Sequence, residues 1–137
     1  MKIAIFGSRT LTGNLDPLIA AAIDRLKAKE IITAGEPEGV CNSAREFARR
    51  NAIPLKLYFC DLRRNAGKYH WRSKAVLTDC NFCLFLWDGT SKGTRNEITL
   101  AKKLKVEFEI LTLTDPVYYA KHTLPEPEGD KRVKYLL

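Results

Sequence analysis

The segment at 82–111 reads FCLFLWDGTSKGTRNEITLAKKLKVEFEIL, and this stretch decides the fold. Its first part, Phe82–Trp87, is a continuous apolar run, which predicts a strand buried on both faces. A polar loop with two glycines follows, and residues 94–104 then show the apolar spacing of a helix. Residues 106–111 predict a second strand. A strand, a helix and a strand in this order indicate a parallel pair joined by a right-handed crossover.

The same alternation runs through the preceding residues. Apolar runs predict three more strands, at residues 2–6, 31–34 and 55–59. Helices are predicted from Asp16 as N-cap with Pro17 at the first helical position, for about ten residues from near Asn42, and over residues 69–78. The sequence therefore predicts an α/β fold: a Rossmann-like three-layer sandwich with a central parallel sheet of about five strands and helices on both faces.

Length and composition indicate one domain. A chain of 137 residues with 45% hydrophobic content can bury a single core. We predict a nucleotide-binding domain over residues 1–113, with residues 114–137 as a C-terminal surface extension of it, because prolines and a glycine interrupt that tail. No apolar run is long enough to cross a bilayer, so no membrane partner is expected.

The cysteines and the net charge restrict location and partners. The four cysteines are scattered, which favours reduced thiols and a cytoplasmic location. Cys80 and Cys83 have the spacing of a metal-ligand pair, but nothing completes a set of four ligands, so neither a metal nor another cofactor is predicted. A formal charge of +7 indicates an anionic partner. A nucleotide fits that charge, whereas nucleic acid is disfavoured because no helix-turn-helix or aromatic-basic pattern is present.

Polar loops with glycines follow three of the predicted strands, at residues 7–9 (GSR), 35–39 (GEPEG) and 88–94 (DGTSKGT). Ligands of parallel sheets bind beyond the carboxyl ends of the strands, where helix N-termini offer free N–H groups. Glycines permit close approach of the backbone, and hydroxyls suit phosphate oxygens. The predicted phosphate and ligand contacts are Gly7, Ser8, Arg9, Gly35, Gly39, Asp88, Gly89, Ser91, Gly93 and Thr94. Neither the dinucleotide fingerprint nor the Walker P-loop occurs.

Four segments together carry a resemblance to a known superfamily: FGSR at 6–9, AGEPEG at 34–39, WRSKA at 71–75 and DGTSKGTRNE at 88–97. This combination resembles the SLOG superfamily, which includes the LOG ("lysine decarboxylase-like") phosphoribohydrolases. The resemblance covers residues 2–113. In the hydrolase branch the last segment reads P-G-G-x-G-T-x-x-E, and this chain lacks the proline and the paired glycines.

The resemblance implies a metal-independent N-glycosidase that acts on a nucleoside 5′-monophosphate, with Glu97 and Arg72 as catalytic residues, and it implies a homodimer. Glu97 would hold ribose hydroxyls or stabilise an oxocarbenium-like transition state, and Arg72 would bind the phosphate or the departing base. Two other functions stay open: a non-catalytic nucleotide sensor, and an enzyme similar to nucleoside 2-deoxyribosyltransferases. Glu97 also has a purely structural interpretation, because Thr94 and Glu97 have the spacing of a helix capping box.

Overall fold

The computed structural model describes residues 1–11, 13–60 and 67–113. Along this part of the chain, strands and helices alternate in the order β1 (Lys2–Gly7), α1 (Asp16–Leu26), β2 (Glu30–Ala34), α2 (Gly39–Arg50), β3 (Leu55–Tyr58), α3 (Lys68–Asp79), β4 (Phe82–Trp87), α4 (Lys92–Lys103) and β5 (Glu107–Thr112). The predicted α/β alternation is confirmed. The predicted C-terminal extension at 114–137 lies outside the described residues.

The five strands form one parallel sheet in the order β3-β2-β1-β4-β5. From β1 the chain first adds strands on one side, through β2 to β3, and then returns to the other side of β1 to form β4 and β5. The direction of winding therefore reverses between β1 and β4. Loops diverge at such a reversal and leave a crevice at the carboxyl edge of the sheet, where ligands of this architecture bind.

Alternate residues of the central strands pack against different helix layers. Ile3 and Ile5 of β1 belong to the core beneath α1 and α2, whereas Ala4 and Phe6 belong to the core beneath α3 and α4. In β4, the four consecutive residues 83–86 are all buried and divide between the two cores in the same way. The prediction of a strand buried on both faces is confirmed, and so is the three-layer sandwich.

Helix starts are where the structure differs from the sequence prediction. In α1, Leu15 occupies the N-cap without a side-chain cap, and the Asp16 carboxylate instead pairs with Arg50 at 2.6 Å. Helix α2 begins at Gly39, ahead of the predicted Asn42, and α4 begins at Lys92, ahead of the predicted Thr94. Both helices thus reach closer to the carboxyl edge of the sheet than the sequence pattern indicated. None of the helices among the described residues is long and apolar enough to cross a membrane.

Candidate functional site

A cavity of about 640 Å³ opens at the carboxyl edge of the sheet, between the loops that follow β1 and β4. Its walls come from the β1 loop, from Glu36 and Glu38 after β2, and from the first turns of α3 and α4. This volume is typical of small-molecule sites. Eight of the predicted site residues line it: Gly7, Ser8, Arg9, Arg72, Ser91, Gly93, Thr94 and Glu97.

Asp88 does not line the cavity, because its carboxylate organises the loop after β4. It accepts hydrogen bonds from the backbone N–H of Thr90 at 2.9 Å and of Ser91 at 2.7 Å. The hydroxyls of Ser91 and Thr10 also donate to it, each at 2.7 Å. Burial alone would raise the pKa of Asp88, but these hydrogen bonds outweigh it and hold the pKa well below its usual range. Asp88 therefore fixes the geometry of the loop that leads into α4.

Three predicted glycines also lie outside the cavity lining. Gly39 has a φ of +72°, and a Cβ there would lie 2.4 Å from the Cα of Arg9, so this glycine lets α2 start against the β1 loop. A Cβ at Gly35 would lie 2.1 Å from the ring of Phe59. Gly89 has a φ of +86° in the tight turn after β4. These three glycines have conformational or packing roles in the loops after β2 and β4, and their predicted ligand contacts stay predictions.

The N-terminus of α4 lines the cavity. Helix α4 has twelve residues and starts at Lys92, directly after the Ser91 N-cap. First-turn N–H groups have no acceptor within a helix, and the helix dipole adds partial positive charge there. Gly93 leaves this end open, since no described residue has an atom within 4 Å of the position a Cβ would take, apart from its chain neighbours and the backbone of α4. The first turn of α4 thus presents N–H groups to the cavity with little steric obstruction.

The interpretation of Glu97 as a capping residue is wrong. Because α4 begins at Lys92, Thr94 lies inside the first turn and is not the N-cap. The Glu97 carboxylate turns towards α3, where its Oε2 accepts a hydrogen bond from the Ser73 hydroxyl at 3.0 Å. Glu97 therefore lines the cavity and does not cap its own helix.

Arg72 bridges two carboxylates inside the cavity. Its Nη1 lies 2.6 Å from Oε1 of Glu36, and its Nη2 lies 3.7 Å from Oε2 of Glu97. All three side chains are largely buried, with 8% of Arg72, 14% of Glu36 and 12% of Glu97 exposed. Glu36 and Ser73 line the cavity but were not among the predicted site residues. The signal for Glu36 was its position directly after the glycine at the end of β2.

Burial and charge set the ionisation of this network. Burial raises the pKa of Glu97 to about 7, against the opposing effects of the Ser73 hydrogen bond and the Arg72 charge. Burial alone would lower the pKa of Arg72, but the hydrogen bond to Glu36 and the neighbouring negative charges raise it above its usual value. At neutral pH, Arg72 is therefore charged, whereas Glu97 keeps its proton to a higher pH than an ordinary glutamate does.

Side chains at the mouth of the cavity connect its walls. Arg9, 59% exposed, donates to Oε1 of Glu36 at 3.2 Å. The guanidinium of Arg9 lies 5.9 Å from the centre of the half-exposed Tyr69 ring, and that of Arg72 lies 5.4 Å from it. His70, the next residue on α3, also lines the cavity. Arg9 is thus an exposed cation at the entrance, held by one carboxylate and one ring.

Three of the four cysteines lie in or beside the core. Cys41 and Cys83 are buried, and the Cys80 thiol donates to the carbonyl of Leu77 at 3.4 Å. Burial raises the pKa of Cys41 and of Cys80 to about 11. Within the described ranges, histidine, cysteine and acidic side chains form no group of three or more that could hold a metal ion.

A scan of known protein-family models finds no match to this chain, and a search of curated proteins finds none either. The resemblance to the SLOG superfamily therefore stays a prediction from the sequence.

Proposed function

We propose that the protein binds a nucleoside 5′-monophosphate and cleaves its N-glycosidic bond by hydrolysis. One observation carries this proposal: a buried carboxylate, Glu97, and an open helix N-terminus, that of α4, face the same cavity. A carboxylate can accept hydrogen bonds from sugar hydroxyls, and a helix N-terminus can bind a phosphate. A nucleotide has both groups, joined at a fixed spacing.

The phosphate would bind at the first turn of α4. Backbone N–H groups and the hydroxyl of Thr94 are available there, and Lys92 adds a positive charge. Two carboxylates elsewhere in the cavity, Glu36 after β2 and Glu97 about one turn further along α4, repel an anion. This charge distribution favours one orientation of the ligand, with its phosphate at α4 and its sugar over the carboxylates.

The sugar would then lie against Glu97. In the reaction, the bond between C1′ and the base nitrogen breaks, the base leaves with the electron pair and takes up a proton, and water adds to C1′. Positive charge develops on the sugar in the transition state, and a carboxylate beside it stabilises that charge, as in glycoside hydrolysis. A carboxylate with a pKa near 7 in a cavity is typical of functional sites.

The ionic network of Arg72, Glu36 and Glu97 supports a functional role, because a buried network of this kind contributes little to the stability of the fold. Its three charged side chains are removed from water, and Nε of Arg72 is buried with no hydrogen-bond partner among the described residues. Apolar residues in place of a buried ionic network are often equally or more stabilising. An unsatisfied buried donor in a native protein points to another constraint on the position.

A second candidate is a nucleotide sensor that binds without cleaving. The structural observation that favours it is that the guanidinium of Arg72 is already occupied by Glu36 and Glu97, which limits its capacity to hold a phosphate or a departing base. Measuring base release separates the two candidates. Dimer formation and a cytoplasmic location belong with this proposal as predictions, and light scattering during size-exclusion chromatography tests the first.

We expect the four ribonucleoside 5′-monophosphates to raise the melting temperature well above the effect of the matching nucleosides, because the α4 N-terminus recognises phosphate. A ligand at a hundred times its Kd stabilises the folded state by about 2.7 kcal/mol. Differential scanning fluorimetry with each pair of compounds measures the effect. Equal shifts from nucleotide and nucleoside would rule out the phosphate site.

Two variants at Gly93 locate that site. Gly93→Asp should weaken nucleotide binding by about tenfold or more, because the added carboxylate repels the phosphate. Gly93→Ala is the matched control and should bind nearly as well as the wild type. The Cβ that both variants add has room, since no atom of the described chain lies within 4 Å of it apart from the chain neighbours and the α4 backbone. Equal affinities of the two variants would place the phosphate elsewhere.

A further inference from the structure

The Ser73 hydroxyl is the only hydrogen-bond donor that any described residue supplies to the Glu97 carboxylate at normal hydrogen-bonding distance. It lies on α3 and donates to Oε2 of Glu97 on α4 at 3.0 Å. Nη2 of Arg72 approaches the same oxygen at a longer 3.7 Å. Ser73 is 4% exposed and lines the same cavity as Glu97. Both interactions involve Oε2, which leaves Oε1 without a partner among the described side chains.

We propose that Ser73 is a positioning residue of this site: its hydroxyl holds Oε2 of Glu97 and thereby leaves Oε1 as the oxygen that faces the sugar. That Oε1 of Glu97 faces a sugar rests on the proposed function. That Ser73 holds Oε2 does not depend on it. A carboxylate fixed through one oxygen loses rotational freedom about its last bond before a ligand arrives. The other oxygen is then pre-organised to accept a hydrogen bond from a sugar hydroxyl.

The same hydrogen bond controls how strongly Glu97 holds a proton. A hydroxyl that donates to a carboxylate stabilises the charged form. The charged groups that act on Glu97 come from three elements: Arg72 on α3, Glu36 after β2 and Arg9 after β1. The thiols of Cys41 on α2 and Cys83 on β4 also face this charge, because the Glu97 carboxylate contributes to raising the pKa of both. Of the charged groups, Arg72 and Arg9 favour ionisation and Glu36 opposes it. The uncharged Ser73 hydroxyl also favours ionisation of Glu97, and a single substitution removes this effect without altering any charge.

The test is the pKa of Glu97 in Ser73→Ala, measured without ligand by NMR of ¹³C-labelled glutamate carboxyl groups. The Glu97 signal is the one missing from the Glu97→Gln spectrum. We expect the pKa to rise by about one pH unit above that of the wild type, because a hydrogen bond to a charged group is lost. Alanine is the best helix former, so the variant should fold. Ser73→Cys, a weaker donor of similar size, should give an intermediate value.

Thr78→Ala is the matched control on the same helix. The Thr78 hydroxyl donates to the carbonyls of Lys74 and Ala75 within α3, and it does not reach Glu97. This variant should leave the pKa of Glu97 unchanged. An unchanged pKa in a folded Ser73→Ala protein would overturn the proposal, whether or not the protein binds any nucleotide.

Base release from a nucleoside monophosphate provides the functional readout. In Ser73→Ala, the pH at which the rate reaches half its maximum should move upward together with the pKa of Glu97. A purely structural role would lower the rate at every pH and leave that midpoint in place. If the pKa rises but no nucleotide binds to the wild type, the positioning role of Ser73 stands and the proposed function fails.

Discussion

Replacing Glu97 with glutamine is expected to lower base release from a nucleoside 5′-monophosphate by about a hundredfold or more, the usual loss when a key electrostatic group is removed. Glutamine has nearly the same shape, and its amide oxygen can still accept from Ser73. What it lacks is the negative charge that stabilises the developing oxocarbenium ion. Nucleotide affinity should hold or increase, because a carboxylate in the same cavity repels the phosphate.

Steady-state rates of base release and nucleotide affinity from calorimetry measure these two effects separately. Glu107→Gln is the matched control, because this exposed glutamate begins β5 at the opposite edge of the sheet. It should change neither quantity. If the wild-type protein binds a nucleotide but releases no base, the enzyme proposal fails and the sensor stands.

The stability of Glu97→Gln should depend on pH in a predictable direction. The folded-state pKa of Glu97, about 7, is above its unfolded value of 4.5. A protonated Glu97 therefore stabilises the folded state below pH 4.5, and this contribution is lost as the pH rises through 7. Between pH 5 and pH 8 the variant should gain stability relative to the wild type, on the order of 3 kcal/mol. Urea unfolding of both proteins at pH 5 and at pH 8 measures this gain. If the difference in unfolding free energy between variant and wild type were the same at both pH values, it would contradict the raised pKa of Glu97.

The fold could be predicted because its signal is local and repeated. Phe82–Trp87 is apolar at every position, and only a strand covered on both faces buries all of it. Once that strand is parallel to its neighbours, the carboxyl ends of the strands meet at one edge, and the loops there become the candidate site. The end of β1 and the start of α4 were found by this argument, and both line the cavity.

The side-chain network could not be predicted, because it depends on which way individual side chains point. Glu97 and Thr94 have capping-box spacing, yet the helix starts two residues before Thr94 and Glu97 turns towards α3. Asp88 follows a strand exactly as a ligand-binding carboxylate would, but local N–H groups and hydroxyls take up both of its oxygens. The approach of Glu36 to Arg72 joins residues 36 positions apart, which no local pattern encodes.

These results separate two kinds of residue at the edge of the sheet. Gly39 and Asp88 shape loops, and their contacts are internal to the protein. Glu97 and Arg72 instead keep charge in a cavity at a cost to stability. Substitutions of the first kind should act through folding, whereas those of the second kind should act through the charge balance of the cavity. Arg72 tests that distinction most directly.

Replacing Arg72 with methionine should destabilise the fold by about 3 kcal/mol or more at pH 8, because removing one partner of a buried ionic network leaves the others uncompensated. Glu36 keeps Arg9 at 3.2 Å, but Glu97 loses the only cation within 4 Å among the described residues. The loss should shrink at pH 5, where Glu97 is protonated and needs no counter-charge. Urea unfolding at the two pH values measures the effect.

The double variant Arg72→Met with Glu97→Gln decides whether charge or packing causes the loss. If the uncompensated carboxylate is responsible, the second substitution should restore part of the stability at pH 8, with a coupling free energy of about 1–3 kcal/mol. Arg49→Met is the control, since Arg49 is 62% exposed and its loss should change stability by about 0.5 kcal/mol at most. A loss equal at both pH values, and unrelieved in the double variant, would mean that Arg72 acts by packing alone. The electrostatic account of the cavity, and with it the role of Glu97, would then have to be abandoned.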